Sequence, residues 1–100
     1  LELANKLQQL KSNPKIMMRH EMLEFYTNGE TIYTPQTDID NLIKYAKKTN
    51  TDFIVAWKRE LAGERNIEIL TEPNYRNINL EKIYYMNTTD GPLVVYKIKN

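Results

Sequence analysis

Cysteine is absent from this 100-residue chain, so neither a disulfide framework nor a thiolate metal site is open to it. Histidine occurs once, at His20, which excludes a multi-histidine metal site and makes any Ser-His-Asp triad depend on that one residue. The three glycines, Gly29, Gly63 and Gly91, stand far apart, so no glycine-rich loop can cradle a phosphate. An excess of charge of either sign is missing as well. A formal net charge of +1 argues against a protein that tracks a phosphate backbone, and DNA is not an expected partner. The longest strongly apolar runs, FIVAW and LVVY, fall far short of the roughly 18 residues that a membrane-spanning helix needs, and the chain is expected to be soluble as it stands. No charged segment followed by an apolar one marks a signal peptide.

What is present suits one small folded domain over residues 1–100. Hydrophobic residues make up 41% of the chain and charged ones 27%, which is enough for a modest core. Leu3, Leu7 and Leu10 recur at helical spacing before Pro14. KIMMR, residues 15–19, is short and apolar, as a buried strand would be. Ile39, Leu42, Ile43 and Ala46 repeat at i, i+3, i+4 and i+7, predicting a helix over about 38–48, with Thr37 and Asp40 resembling a capping box and Lys47 and Lys48 facing the terminal carbonyls. TDFIVAW is continuously apolar rather than alternating, the pattern of a strand covered on both faces. Residues 60–79 are ambiguous, and NIEIL fits an edge strand or the end of a short helix. LEKIYYMN and LVVYKIK then flank TTDGP, predicting an antiparallel hairpin that turns at Asp90, Gly91 and Pro92.

The segment FYTNGETIY, residues 25–33, supports two folds. Asn28-Gly29 is a hairpin signal, and pairing Phe25 with Ile32 would follow from it. As a helix, Met22, Phe25 and Tyr26 form one stripe, and Gly29 takes the left-handed position beyond the end. The double-sided strand at 53–57 favours the second. The expectation is therefore α/β: a small Rossmann-like βαβαβ core with an N-terminal helix, a helix over 20–27, strands at 15–19, 31–34 and 53–57 running parallel, and a C-terminal antiparallel β-hairpin in a mixed sheet.

The order KIMMR, HEMLEFYTNGETIYTP, DIDNLIKYAKKTNTDFIVAWKRE and LEKIYYMNTTDGPLVVYKIKN resembles the soluble C-terminal domain of polytopic glycosyltransferases of the GT-C superfamily. These are of the dolichyl- or polyprenyl-phosphate-mannose mannosyltransferase and aminoarabinose-transferase type. Arg19, Tyr26, Gly29, Pro35, Tyr45, Ala46, Lys47, Asp52 and the closing VYKIK carry the likeness across nearly the whole chain. Trp57, Lys58 and Arg59 depart from it, where such domains often carry an acidic residue or Ser. The resemblance implies a domain on the extracytoplasmic face of a membrane, attached to a transmembrane part, with the sugar-transferring acids in that part and none here. It implies a parent enzyme that moves a sugar from a polyprenyl-phosphate carrier to protein or lipid, while this domain positions or recognises acceptor or carrier. The start at LELANKL, with no initiator Met and an amphipathic pattern already running, agrees with an excised piece. No cofactor is expected.

The residues themselves offer few alternatives. Asp52 and Glu68 imitate a nuclease pair, but position 70 is Leu where that chemistry needs Lys. Asp38 and Asp40 are explained by helix capping. Asn87-Thr88-Thr89 is a glycosylation sequon that matters only outside the cytoplasm. One constellation depends on the parallel sheet: Arg19, His20, Gln36, Lys58 and Arg59 all leave the carboxyl ends of strands, where open α/β sheets bind ligands, and could meet an anionic group. A solvated charged rim is the plainer explanation. The competing functional class is a free-standing intracellular α/β module for a phosphate-bearing ligand or RNA; GPLVVYKIK faintly resembles the Brix family of ribosome-assembly proteins.

Overall fold

A computed structural model gives the fold and describes residues 2–19 and 29–99. Helix α1 spans Glu2–Leu10, followed by β1 (Lys15–Met18), β2 (Glu30–Tyr33), α2 (Ile39–Lys48), β3 (Phe53–Trp57), a single turn α3 (Lys58–Leu61), a 3₁₀ turn (Glu68–Thr71), β4 (Leu80–Thr88) and β5 (Gly91–Ile98). The five strands form one sheet in the order β2-β1-β3-β5-β4. β1 runs parallel to both β2 and β3, whereas β5 is antiparallel to β3 and to β4. This is the expected mixed α/β sheet with its closing hairpin. The helix expected over 20–27 and its residue Phe25 lie outside the described residues, but Gly29 is described, and the left-handed position expected of it is not found: the described glycines at positive φ are Gly63 and Gly91.

The run FIVAW is continuously apolar because both its faces are covered. Phe53 and Val55 point to one side, where Leu3, Ala4 and Leu7 of α1 pack with Ile16, Met18 and Val95. Ile54 and Ala56 point to the other, against Leu42, Ile43 and Ala46 of α2, Leu61 of α3, and Ile67 and Leu70. A strand flanked by strands and sandwiched between helices has no solvent face to make polar. β2 pairs with β1 in the register Ile32↔Met17, so the partner of Ile32 on this side is a parallel strand.

Local chemistry sets the element ends. Asp38 caps α2, its carboxylate accepting from the Asn41 amide at 2.8 Å. The capping box expected of Thr37 and Asp40 is thus replaced by Asp38 alone, with Asp40 in the first turn. Asp52 ties the start of β3 to β1: its carboxylate accepts from the Lys15 amide and its own amide donates to the Lys15 carbonyl, both at 2.8 Å. Gly29 approaches the Pro14 carbonyl so closely that an added Cβ would lie 2.0 Å from that oxygen.

The hairpin turn needs correction, and one of the two readings left open for NIEIL is observed. The hairpin turns through Thr89 and Asp90, because Thr88 pairs with Gly91 and Asn87 with Pro92, which puts both Gly91 and Pro92 inside β5. Gly91 supplies φ +103, so the strand begins there without a Cβ penalty. NIEIL is not an edge strand; of its two readings the short helix is the one observed. Its last residues form the 3₁₀ turn, which buries Leu70 and Thr71 under the sheet, and the Tyr96 hydroxyl donates to the Leu70 carbonyl at 2.6 Å.

Candidate functional site

The strand order 2-1-3 places a topological switch point between the carboxyl ends of β1 and β3, where the chain crosses first to one side and then to the other. In open α/β sheets such a crevice receives ligands. Arg19 leaves β1 at this crevice, and Lys58 and Arg59 leave β3. The placement is as the sequence implies, except that β1 ends at Met18 and β2 at Tyr33, one residue before the expected boundaries. His20 lies outside the described residues.

Each of the three cations meets a carboxylate of the chain itself. Arg19 forms a two-pronged pair with Glu64: Nη1 reaches Oε2, and Nη2 donates to Oε1 at 2.8 Å. Its Nε donates to the Thr34 carbonyl at 2.9 Å, and the guanidinium stands 5.0 Å from the Tyr33 ring centre. Only 9% of the Arg19 side chain is exposed, against 23% for Glu64. The hydrogen bond to Glu64 raises the Arg19 pKa above its already high ordinary value, so the guanidinium is always charged. Lys58 Nζ lies 2.9 Å from Glu68, which holds the Glu68 carboxyl below the ordinary carboxylate range. Arg59 lies 3.3 Å from Asp90 and 5.4 Å from the Trp57 ring centre.

The crevice is therefore neutralised from within. Glu64 accepts both guanidinium prongs of Arg19, which is the geometry by which Arg would recognise a ligand carboxylate or phosphate. Gln36 does stand nearby: with Thr37, Glu64, Arg65 and Asn66 it lines a shallow cleft of about 310 Å³. Lys58 and Arg59 lean the other way, toward the 3₁₀ turn and the hairpin. Gln36 and Glu64 thus share one cleft, Arg19 stands behind Glu64 without lining it, and Lys58 and Arg59 are drawn apart from them.

Sequence reasoning missed Glu64. The signal was present, since its segment is irregular and carries an acid that no helix period explains, but a loop acid has no periodicity that assigns it a partner. Thr34 was missed too: its hydroxyl is buried beside Arg19 with no hydrogen-bond partner among the described residues. The nuclease-like pair is dispersed, with Asp52 holding β1 to the start of β3 and Glu68 tied to Lys58. Asn87 of the sequon is exposed near the hairpin turn, where the Thr88 hydroxyl instead accepts from Trp57 Nε1 at 3.0 Å and donates to the Gly91 carbonyl at 2.7 Å. No group of three or more His, Asp or Glu side chains suited to a metal ion occurs among the described residues, and no described helix is long and apolar enough to cross a membrane. Compared with known proteins, the chain matches no family model, no curated protein and no solved structure.

Proposed function

We propose that this chain is a non-catalytic, extracytoplasmic domain of a membrane glycosyltransferase that moves a sugar from a polyprenyl-phosphate carrier to protein or lipid. The observation that supports it is the order of the elements. A helix, a strand ending just before Arg19, a strand ending before Pro35, a helix of the LIKYAKK type, a doubly covered strand and a closing VYKIK hairpin lie along one mixed sheet. That is the order the sequence resemblance implies. The self-paired crevice fits a positioning role: the domain's cations hold its own loops, so its contribution is a rigid body that helps place acceptor or carrier against the transmembrane part.

The test has two arms. The reading frame upstream of Leu1 should encode several hydrophobic spans; a cytosolic start codon close to Leu1 would sink the proposal. In the full-length enzyme, deleting residues 1–100 should leave the membrane part inserted but lower transfer from a polyprenyl-phosphate-sugar donor. Unchanged transfer would remove the positioning role. Binding of RNA or a free phosphate ligand by the isolated chain, with no such parent, would favour the intracellular module instead.

A further inference from the structure

At the opposite end of the sheet, where Lys15 meets Glu30 at 4.0 Å, a second group of cations has no acidic partner. Arg76, Lys82 and Lys99 line an open groove of about 540 Å³ together with Ile78, Leu80 and Glu81, at the amino-terminal edge of the parallel strands. No carboxylate of the described residues lies within ion-pair distance of any of the three cations. Lys82 donates instead to the Pro73 carbonyl at 2.6 Å and the Glu72 carbonyl at 3.4 Å, and desolvation together with repulsion from Arg76 lowers its pKa. Arg76 and Lys82 thus repel one another, and although Glu81 also lines the groove it pairs with none of the three cations, which leaves the groove net positive.

Beside them stands the most exposed large hydrophobic residue described, Ile78, at 88% exposure. It is held there rigidly. The Asn77 carbonyl accepts from the Leu80 amide at 3.1 Å, and the Asn77 side chain accepts from the Asn79 amide at 2.8 Å. Asn77 Nδ2 donates to the Tyr75 hydroxyl at 3.0 Å, and the Lys99 amide donates to the Asn79 carbonyl at 2.9 Å, which fixes the end of β5 beside the turn. A braced turn that lifts one aliphatic side chain above three unpaired cations loses little conformational freedom on docking.

We propose that this turn is a contact for an anionic lipid bilayer, with Ile78 entering the acyl boundary while Arg76, Lys82 and Lys99 meet headgroup phosphates. The complementarity is of charge and of an apolar tip together, as in interfacial protein segments. An aliphatic tip favours lipid over RNA, because single-stranded nucleic acid is held by aromatic stacking and the nearby Tyr75 has its hydroxyl tied to Asn77. The contact orients the domain and does not anchor it: one side chain and three charges give less than the marginal binding of a single acyl chain. It stands independently of the glycosyltransferase proposal, since the isolated chain carries every residue involved.

The experiment is amide line broadening of the isotope-labelled chain against lipid nanodiscs containing either no anionic lipid or about a third phosphatidylglycerol. Broadening should be confined to residues near 75–82 and 99, and to the anionic discs. Ile78→Ser should weaken the apparent affinity roughly tenfold, and Arg76→Ala with Lys99→Ala by about 25-fold, each cation contributing about fivefold. Lys47→Ala with Lys48→Ala, which removes the same charge from the C-terminal end of α2, at the same sheet edge but outside the groove, should change it little. Because Ile78 is almost wholly exposed, its replacement leaves the core intact, which an unchanged spectrum in the absence of discs verifies. No broadening with anionic discs, broadening mapped elsewhere, indifference to Ile78→Ser, or equal loss in the Lys47/Lys48 variant would each overturn the proposal. So would a response of the same turn to single-stranded RNA but not to discs.

Discussion

Glu64→Ala should be among the most destabilising changes outside the apolar core. Arg19 is 9% exposed and donates to both oxygens of Glu64, so the truncation leaves a nearly buried guanidinium with the Thr34 carbonyl, the Tyr33 ring and the more distant charge of Glu60. Removing one partner of a buried ion pair costs about 3–5 kcal/mol. Glu64 is 23% exposed, so water can enter the gap, and we expect about 2–3 kcal/mol once that relief is counted. In a domain of this size that is a fall in melting temperature of roughly 10–20 °C. Arg19→Met with Glu64→Ala removes the orphaned charge while keeping an apolar stem, so the double variant should be no less stable than Glu64→Ala alone. A urea-denaturation cycle over the four proteins should then give a coupling energy of about 2 kcal/mol. The competing explanation, that Arg19 is a ligand-binding residue only loosely parked on Glu64, predicts a loss below about 0.5 kcal/mol, as for an exposed pair, with additive single changes. That result would refute the assignment of the pair to the fold.

Three further perturbations probe the same framework. Thr34→Val replaces a buried, unpartnered hydroxyl by a methyl of similar shape; urea midpoints should show no loss and up to about 1 kcal/mol of gain, whereas a larger loss would mean that the hydroxyl has a partner. Tyr96→Phe strips the Leu70 carbonyl of its 2.6 Å bond and should cost about 1–3 kcal/mol. Burial also raises the Tyr96 pKa well above the ordinary phenol value, so its contribution is intact below about pH 10 and is lost as pH rises beyond that toward the folded value; Tyr96→Phe should flatten this alkaline limb of stability. Gly29→Ala would force a Cβ to 2.0 Å from the Pro14 oxygen, and the backbone shift that relieves it should cost about 1–3 kcal/mol in thermal unfolding; a neutral outcome would show that the segment rearranges freely.

The elements that were legible in the sequence are those whose burial repeats. FIVAW is apolar at every position because β3 is covered on both faces, and its bounds coincide with the expected strand. The i, i+3, i+4 stripe of α2 is the stripe that lies on the sheet. Between Leu61 and Asn79 the chain buries Ile67, Leu70 and Thr71 singly, at spacings set by a loop draped over the sheet, and no period reports that arrangement. The hairpin was legible as a hairpin, but Gly91 and Pro92 look like turn residues from sequence because the same conformations serve the first positions of a strand that starts at positive φ.

The charges show a different limit. A net charge of +1 describes equally well a chain with pairs everywhere and one with its charges sorted by location. Here the sorting is between two clusters, one at each sheet edge, with Lys15 and Glu30 paired apart from both. Arg19, Lys58 and Arg59 meet Glu64, Glu68 and Asp90 at the carboxyl end, while Arg76, Lys82 and Lys99 share the other end without an acid in pairing range. Strand polarity told where a ligand crevice lies but not whether the chain fills it, because Glu64 reaches Arg19 across 45 residues of sequence. The two ends should therefore separate under mutation. Alanine at Arg19 should register in unfolding, since a buried bidentate pair belongs to the fold, whereas alanine at Arg76 and Lys99 should leave unfolding nearly unchanged, since exposed unpaired cations contribute little to it. If Arg76 and Lys99 instead proved as costly to stability as Arg19, their lack of acidic partners would not have left them available to a surface outside the chain.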